Sequence, residues 1–492
     1  MQRVTMVRRV VFGAAVSMCT ALVPAQSQSL SLQDCRIESA AAGGSLAARC
    51  GTLDLPENRD DPNSRKIGVH VAVVPALRVQ ALRDPLFVLA GGPGQGASDF
   101  YASVSAAFGR IRRDRDIVLV DQRGTGRSNR LDCAFEDEPE FSTSDPTQLE
   151  QQAKKCLAEL SGDPRYYTTS IAVRDLEAVR QALRYDQLNI YAVSYGTRVA
   201  QHYLRRFPDR VRTMVLDGAV PVDLALGPDV AIHAQSALEV LFSRCEQDAA
   251  CNDRFANVRD SWSMMRDRLQ RDPLRIDMPD PLTAQLTAAT MGVPQLSAAV
   301  RLLTYSDETA SVLPLLIHRA QVEQQPQSLI AQYLMIKRSM ESQIAYGMHF
   351  SVTCSEDAPR WDQEKVSDDA LARTYLGRSF MQGLRAMCEA WPRGPVDADF
   401  NAPLESATAV LVLSGENDPV TPKEYGDRAA RSYQNGKHVV LRGQGHGQLG
   451  NGCMPRVVSE FVRLGSVAQL DVSCTGTVTP APFMLSTSAT AP

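Results

Sequence analysis

The sequence predicts an α/β protein with a mostly parallel central sheet and one large, mainly helical insertion. Three observations predict it. Short continuous apolar runs recur at residues 85–90 (P-L-F-V-L-A), 116–120 (D-I-V-L-V), 190–193 (I-Y-A-V), 211–216 (V-R-T-M-V-L) and 409–415 (A-V-L-V-L-S-G), the pattern of strands buried on both faces. Residues 171–183 carry apolar side chains at 171, 173, 176, 179 and 183, one face of a helix placed between two such strands. From 222 to 401 no strong strand appears, and strand-like runs return only at 409–415 and 437–441.

The elements follow in order. Arg3, Arg8 and Arg9 precede a charge-free apolar run over 10–23, then Pro24, Ala25 and a polar stretch, so residues 1–25 read as a secretory signal peptide. The run is too short for a comfortable membrane span. A lipid anchor at Cys19 is the alternative, but Val16-Ser17-Met18 before it makes a poor lipoprotein signal. Residues 26–221 form the first part of the core. It starts with two strands, 50–55 and 67–77, around the turn-rich P-E-N-R-D-D-P-N, expected as an antiparallel edge. The strand at 85–90 runs into Gly91-Gly92-Pro93-Gly94-Gln95-Gly96, and the strand at 116–120 into Asp121-Gln122-Arg123-Gly124-Thr125-Gly126-Arg127-Ser128, a polar corner. The cap, 222–401, reads as helices near 234–244, 261–269, 296–303, 329–340 and 369–388. Residues 402–474 complete the core, and 475–492, rich in Thr, Ser, Pro and Ala, form a partly loose tail.

Composition bounds the function. A net charge of −4 with no basic patch argues against nucleic acid or an anionic membrane as partner, and 44 % hydrophobic residues suffice for a large core. Beyond the signal, ten cysteines remain: Cys35, Cys50, Cys133, Cys156, Cys245, Cys251, Cys354, Cys388, Cys453 and Cys474. An even number in an exported chain reads as a disulfide set. Sequence alone leaves hundreds of pairings open, but the cysteines fall into close successive couples, and each is expected to bond within its couple. Without a C-x-x-C and with only seven His, no metal site and no cofactor are expected.

Chemistry concentrates at strand ends. Residues 189–200 (N-I-Y-A-V-S-Y-G-T-R-V-A) have the grammar of strand, sharp turn and helix, which would expose the Ser194 hydroxyl above the sheet. Ala192 stands where such elbows usually carry Gly. The Gly-rich loop at 91–96 lacks the phosphate-binding patterns but suits a backbone N–H turned towards an oxyanion. Asp418 in S-G-E-N-D-P-V-T-P follows one strand and His446 in G-Q-G-H-G follows the next. The order serine, acid, histidine is that of an α/β-hydrolase triad, in which imidazole takes the serine proton and the acid holds the imidazole. Glu416 is the alternative acid.

Together these windows resemble the α/β-hydrolase group containing proline iminopeptidases and secreted tripeptidyl aminopeptidases. G-G-P-G-Q-G resembles the group's oxyanion loop, V-D-Q-R-G-T-G-R-S its D-Q-R-G-x-G-x-S segment, and A-V-S-Y-G-T its elbow. S-G-E-N-D-P-V-T-P and G-H-G resemble its acid and histidine loops, and residues 245–255 a cysteine-paired stretch of its cap. Ala90 departs from the group, many of whose members have His there. The resemblance implies oxyanion donors at the backbone N–H groups of Gly92 and Tyr195. It also implies removal of one or a few residues from a free N-terminus, which requires carboxylates to receive an ammonium. Glu356 and Asp357, next to Cys354, are the candidates.

The resulting expectation is an exported serine aminopeptidase, periplasmic or secreted, acting on short peptides without stable membrane insertion. A carboxylesterase acting on small esters with the same residues is the nearest rival. A non-catalytic binding protein on the same scaffold is the third reading, against which the complete Ser, Asp and His set speaks.

Overall fold

A computed structural model describes residues 30–38, 44–133 and 145–487, together with 1, 2 and 5. Cys19 and nearly all of the expected signal peptide lie outside the described residues. The frame is a nine-stranded sheet in the order β1-β2-β3-β5-β4-β6-β7-β10-β11. Its strands are β1 (Gln33–Glu38), β2 (Ser45–Pro56), β3 (Lys66–Val74), β4 (Leu82–Leu89), β5 (Arg115–Val120), β6 (Leu188–Val193), β7 (Val211–Asp217), β10 (Ser406–Gly415) and β11 (Tyr433–Leu441). β1, β2 and β3 pair antiparallel and join antiparallel to β5; every remaining pair is parallel.

The parallel strands bury both faces, because alternate side chains enter two separate cores. Phe87, Leu89, Ile190, Ala192, Met214 and Leu216 face one layer of helices, whereas Leu86, Val88, Tyr191, Val193, Val215 and Leu411 face the other. A strand with no wet face has no polar alternation, which is why these runs are legible in the sequence. β1 was not expected. Its QDCRIE carries little apolar signal, and its place at the sheet edge rests on pairing with β2 and on the Cys35–Cys50 bond.

The polar corner after β5 is hydrogen-bonded throughout. Asp121 accepts the N–H groups of Ser98 (2.9 Å) and Arg127 (3.0 Å). Arg123, fully buried, forms two bonds to Asp175 (2.6 and 2.9 Å) and donates to the carbonyls of Glu57 and Tyr166, both at 2.7 Å.

Between β7 and β10 the chain builds a separate apolar core with two features the expected cap lacked. The first is an antiparallel hairpin, β8 (Leu274–Pro279) and β9 (Leu286–Met291). The second is helix Pro146–Glu159, whose Leu149, Ala153 and Cys156 enter that same core although they precede residue 222. The helix expected over 369–388 is in fact two, Asp368–Ala372 and Ser379–Ala390. The first ends at Ala372, and the turn before the second includes Gly377 at φ +64°.

The ten cysteines form five bonds: Cys35–Cys50, Cys133–Cys156, Cys245–Cys251, Cys354–Cys388 and Cys453–Cys474. The tail, expected to be partly loose, is tied across its described length. Met484 N–H donates to Ser311 O (3.2 Å), Thr479 O accepts from Gln444 (3.4 Å), and the Phe483 ring lies under Arg244 at 4.3 Å.

Candidate active site

Ser194 stands at the carboxyl end of β6 with φ 55° and ψ −127°, and helix Tyr195–Arg206 begins at the next residue. A non-glycine residue in this region is strained by about 1–3 kcal/mol and persists only where its surroundings hold it. Here the Ser194 N–H donates to Asp217 O (2.9 Å) on β7, and Ser194 O accepts from Thr197 N (2.9 Å). Gly196 is required for packing, since a Cβ there would lie 2.6 Å from the carbonyl oxygens of Leu89 and Ala90. Ala192, by contrast, fits: its methyl is buried in the sheet core between Leu89 and Leu216.

The Gly-rich loop passes directly beside the serine. A Cβ on Gly91 would lie 3.0 Å from that of Ser194. Gly92 and Gly94 have φ +103° and +109°, the left-handed side that only glycine enters freely. The cap holds this loop in place, with Ala345 N–H donating to Gly94 O (3.0 Å) and Gln95 Nε2 to Gln343 Oε1 (2.8 Å). The Tyr195 N–H is the first of its helix, a position with no intrahelical acceptor.

Asp418 and His446 meet above the ends of β10 and β11. Asp418 Oδ1 accepts the N–H groups of Val420 (2.9 Å) and Thr421 (2.8 Å), while Oδ2 accepts the Thr421 hydroxyl (2.8 Å) and lies 2.7 Å from His446 Nδ1. Glu416 instead accepts from Gly443 N–H (2.9 Å), away from the imidazole. A Cβ on Gly218, just past β7, would lie 2.9 Å from His446 Cε1. One strand end therefore touches both Ser194 and His446. Burial lowers the basicity of the imidazole, but the Asp418 carboxylate, helped by Asp217, more than offsets this and holds it above the ordinary histidine value. Asp217, Thr421 and Tyr305 also belong to this site: Tyr305 O accepts the His446 N–H (2.6 Å) and its ring stands edge-on to the imidazole. Sequence inspection missed these three, since a D-G turn, a threonine and a tyrosine stand out only once the loops are assembled.

Glu356 and Asp357, the candidates for receiving a substrate ammonium, lie inside the protein. Both are buried, at 2 % exposure each. Arg198 donates to both Asp357 oxygens (2.8 and 3.0 Å) and Leu226 N–H to one of them (2.9 Å). Glu356 accepts the Thr169 N–H (2.6 Å) and hydroxyl (3.0 Å), and that hydroxyl also meets the Tyr195 phenol (2.7 Å). The pair is thus closed on protein partners rather than open to a substrate ammonium. Sequence showed two acids beside a cysteine; it could not show an arginine 159 residues away filling Asp357.

Burial pushes the Glu356 carboxyl up to about 7, against the opposing pull of Arg198 and the Thr169 hydrogen bonds. A carboxyl raised in the folded state stabilises the fold below its unfolded value of 4.5, and that contribution is lost as pH rises through 7. Glu356→Gln removes this dependence. Between pH 5 and 8 the variant's stability should rise relative to wild type, by up to about 3 kcal/mol, in urea unfolding followed at each pH. Parallel pH curves for the two proteins would contradict it.

Fold and site together define a serine hydrolase of α/β-hydrolase architecture. Residues 84–243 match the family described as alpha/beta hydrolase fold, and residues 373–474 match that of the TAP-like proteins. The chain is 25 % identical to Serine protease Hip1 of Mycobacterium tuberculosis, over 88 % of each chain. It is 24 % identical to the Tripeptidyl aminopeptidase of Streptomyces coelicolor, over 88 % of this chain and 84 % of that one. Carboxylesterase B of Mycobacterium tuberculosis is 26 % identical, over 92 % and 91 %. The chain is thus an α/β hydrolase in fold and a serine hydrolase in its site, similar in sequence to these peptidases and to this esterase. Among the described residues no three His, Cys, Asp or Glu are grouped to hold a metal ion, and no helix is long and apolar enough to cross a membrane.

Proposed function

We propose that the protein is an exported serine aminopeptidase that hydrolyses peptide bonds near the free N-terminus of short peptides, with Ser194, His446 and Asp418 as its triad. The observation that carries the reading is the 2.7 Å contact of Asp418 Oδ2 with His446 Nδ1 beside a strained serine elbow. Asp418 fixes the tautomer that leaves Nε2 free to take the Ser194 proton. The Ser194 oxygen then adds to the scissile carbonyl, whose oxyanion receives the N–H groups of Gly92 and Tyr195. His446 returns the proton to the departing amine, and water resolves the acyl-enzyme by the same steps. Ten paired cysteines support export to the periplasm or beyond, since such bonds persist in oxidising compartments.

Esterase action is the second reading. It is favoured by the similarity to Carboxylesterase B and by the closure of Glu356 and Asp357 on Arg198 and Thr169. The readings separate on tripeptidyl and aminoacyl arylamides assayed beside their N-acetylated forms and a small aryl ester. For the peptidase, acetylation should lower kcat/KM by at least about tenfold while the ester is turned over independently of any amine, because a site that receives a free ammonium loses that charged interaction when the amine becomes a neutral amide. Equal rates on free and acetylated arylamides, with the ester much faster, would establish the esterase instead.

A further inference from the structure

Asp217 closes β7, the strand lying between the one that carries Ser194 and the one that leads to Asp418. It is completely buried. Its main-chain carbonyl accepts the Ser194 N–H (2.9 Å). Its carboxylate accepts Gln448 N–H with both oxygens (2.8 Å each), and with Oδ2 also Leu449 N–H (2.9 Å) and the Tyr191 hydroxyl (2.7 Å). Residues 448 and 449 lie two and three positions after His446, and Tyr191 lies on the serine's own strand. The next residue, Gly218, packs under the imidazole at φ +64°, where a Cβ would lie 2.8 Å from Thr421 Oγ1 and 2.9 Å from His446 Cε1.

We propose that Asp217 is a positioning residue for the hydrolysis, clamping the serine elbow and the histidine loop in one register and supplying a second buried negative charge to the imidazolium. The proposal rests on the triad reading. A carboxylate out of water is costly, and capping two N–H groups needs only a neutral acceptor, so the charge calls for a charged counterpart. His446 provides one at the moment it holds the serine proton. The groups facing the imidazole are Asp418 from the loop after β10, Asp217 from β7, Arg301 from helix Val293–Leu303 and the Tyr305 ring. Arg301 opposes protonation and the two carboxylates favour it. Around Asp217 stand Tyr191 and His446. Burial pushes its carboxyl up to about 6, against the hydrogen bonds of Tyr191, Gln448 and Leu449 and the attraction of His446.

The sign follows from these neighbours. His446 must be neutral to act as base, so the acid limb of kcat/KM against pH reports its protonation. An ionised Asp217 raises that limb, and Asp217→Asn should move it to lower pH by about one unit, with kcat reduced about a hundredfold by the altered register. Tyr191→Phe removes one of the donors that hold the Asp217 carboxylate ionised, so its limb should move in the same direction but by less than that of Asp217→Asn. The full chain is assayed on one arylamide across pH 4.5–9, with fluorophosphonate labelling of each variant mapped to its peptide. A wild-type label on a residue other than Ser194 would fail the triad; a label on Ser194 with coincident limbs for wild type and Asp217→Asn would overturn the Asp217 proposal alone. So would a larger shift in Tyr191→Phe than in Asp217→Asn, since losing one donor cannot remove more than the whole charge. Should Asp217→Asn not fold, the His446 ring proton on Cε1 is titrated by NMR in wild type, assigned by its loss in His446→Gln. Coupling to Asp217 should add a second step near pH 6, and a single-step curve would overturn the proposal.

Discussion

Ser194→Ala should abolish turnover, with kcat reduced about 10⁶-fold, while the protein folds as before. The substitution removes one oxygen and leaves the Cβ that packs against Gly91. The backbone that sets the elbow is untouched: the Ser194 N–H still reaches Asp217 O, and Thr197 N–H still reaches the carbonyl of residue 194. Alanine also tolerates φ 55° no better and no worse than serine, so the strain persists. Thermal unfolding should therefore stay within about 0.5 kcal/mol of wild type. The checks are steady-state rates on the best arylamide or ester substrate, loss of fluorophosphonate labelling, and an unfolding curve. Activity within tenfold of wild type would place the nucleophile elsewhere, and with it the oxyanion donors, since Tyr195 sits on this elbow and the loop of Gly92 packs against it.

The elbow and the sheet were legible in the sequence for one physical reason. A parallel strand buried on both faces must be a continuous apolar run, and β4 to β7 and β10 are. The tight turn at its end requires small residues where chains touch, as Gly196 does against Leu89 and Ala90. Where burial is one-sided or partial the signal fades. β1 and the β8–β9 hairpin expose most of their side chains, and helix Pro146–Glu159 buries Leu149, Ala153 and Cys156 in the cap core, with Leu157 partly buried against it. Residues acting across long separations were the least legible. Asp357 looked available until Arg198 was found on it, and Asp217 looked like half of a D-G turn until residues 448 and 449 folded back onto it. The choice between Asp418 and Glu416 lay at the same limit: both follow one strand, and only side-chain direction separates them.

That choice sets the second large effect. Asp418→Asn should lower kcat about 10⁴-fold with little change in KM. Asparagine has the same outline, and its one oxygen can retain the N–H groups of Val420 and Thr421, which now converge on Oδ1. The atom facing His446 Nδ1 at 2.7 Å then becomes an amide nitrogen, a donor where an acceptor stood. Imidazole must answer with Nδ1 as acceptor, which puts its proton on Nε2, the nitrogen that should receive the one from Ser194. The Thr421 hydroxyl loses its acceptor on Oδ2 as well and turns towards Nδ1, 3.1 Å away, reinforcing the wrong tautomer. Loss of the carboxylate also removes the main influence holding the imidazole above its ordinary value, so the acid limb of the residual activity should fall to lower pH. Glu416→Gln alters a side chain that meets only the Gly443 N–H, so its rate should stay near wild type. If Glu416→Gln lost as much activity as Asp418→Asn, the acid would be Glu416, and the contact of Asp418 with His446 would be a structural one.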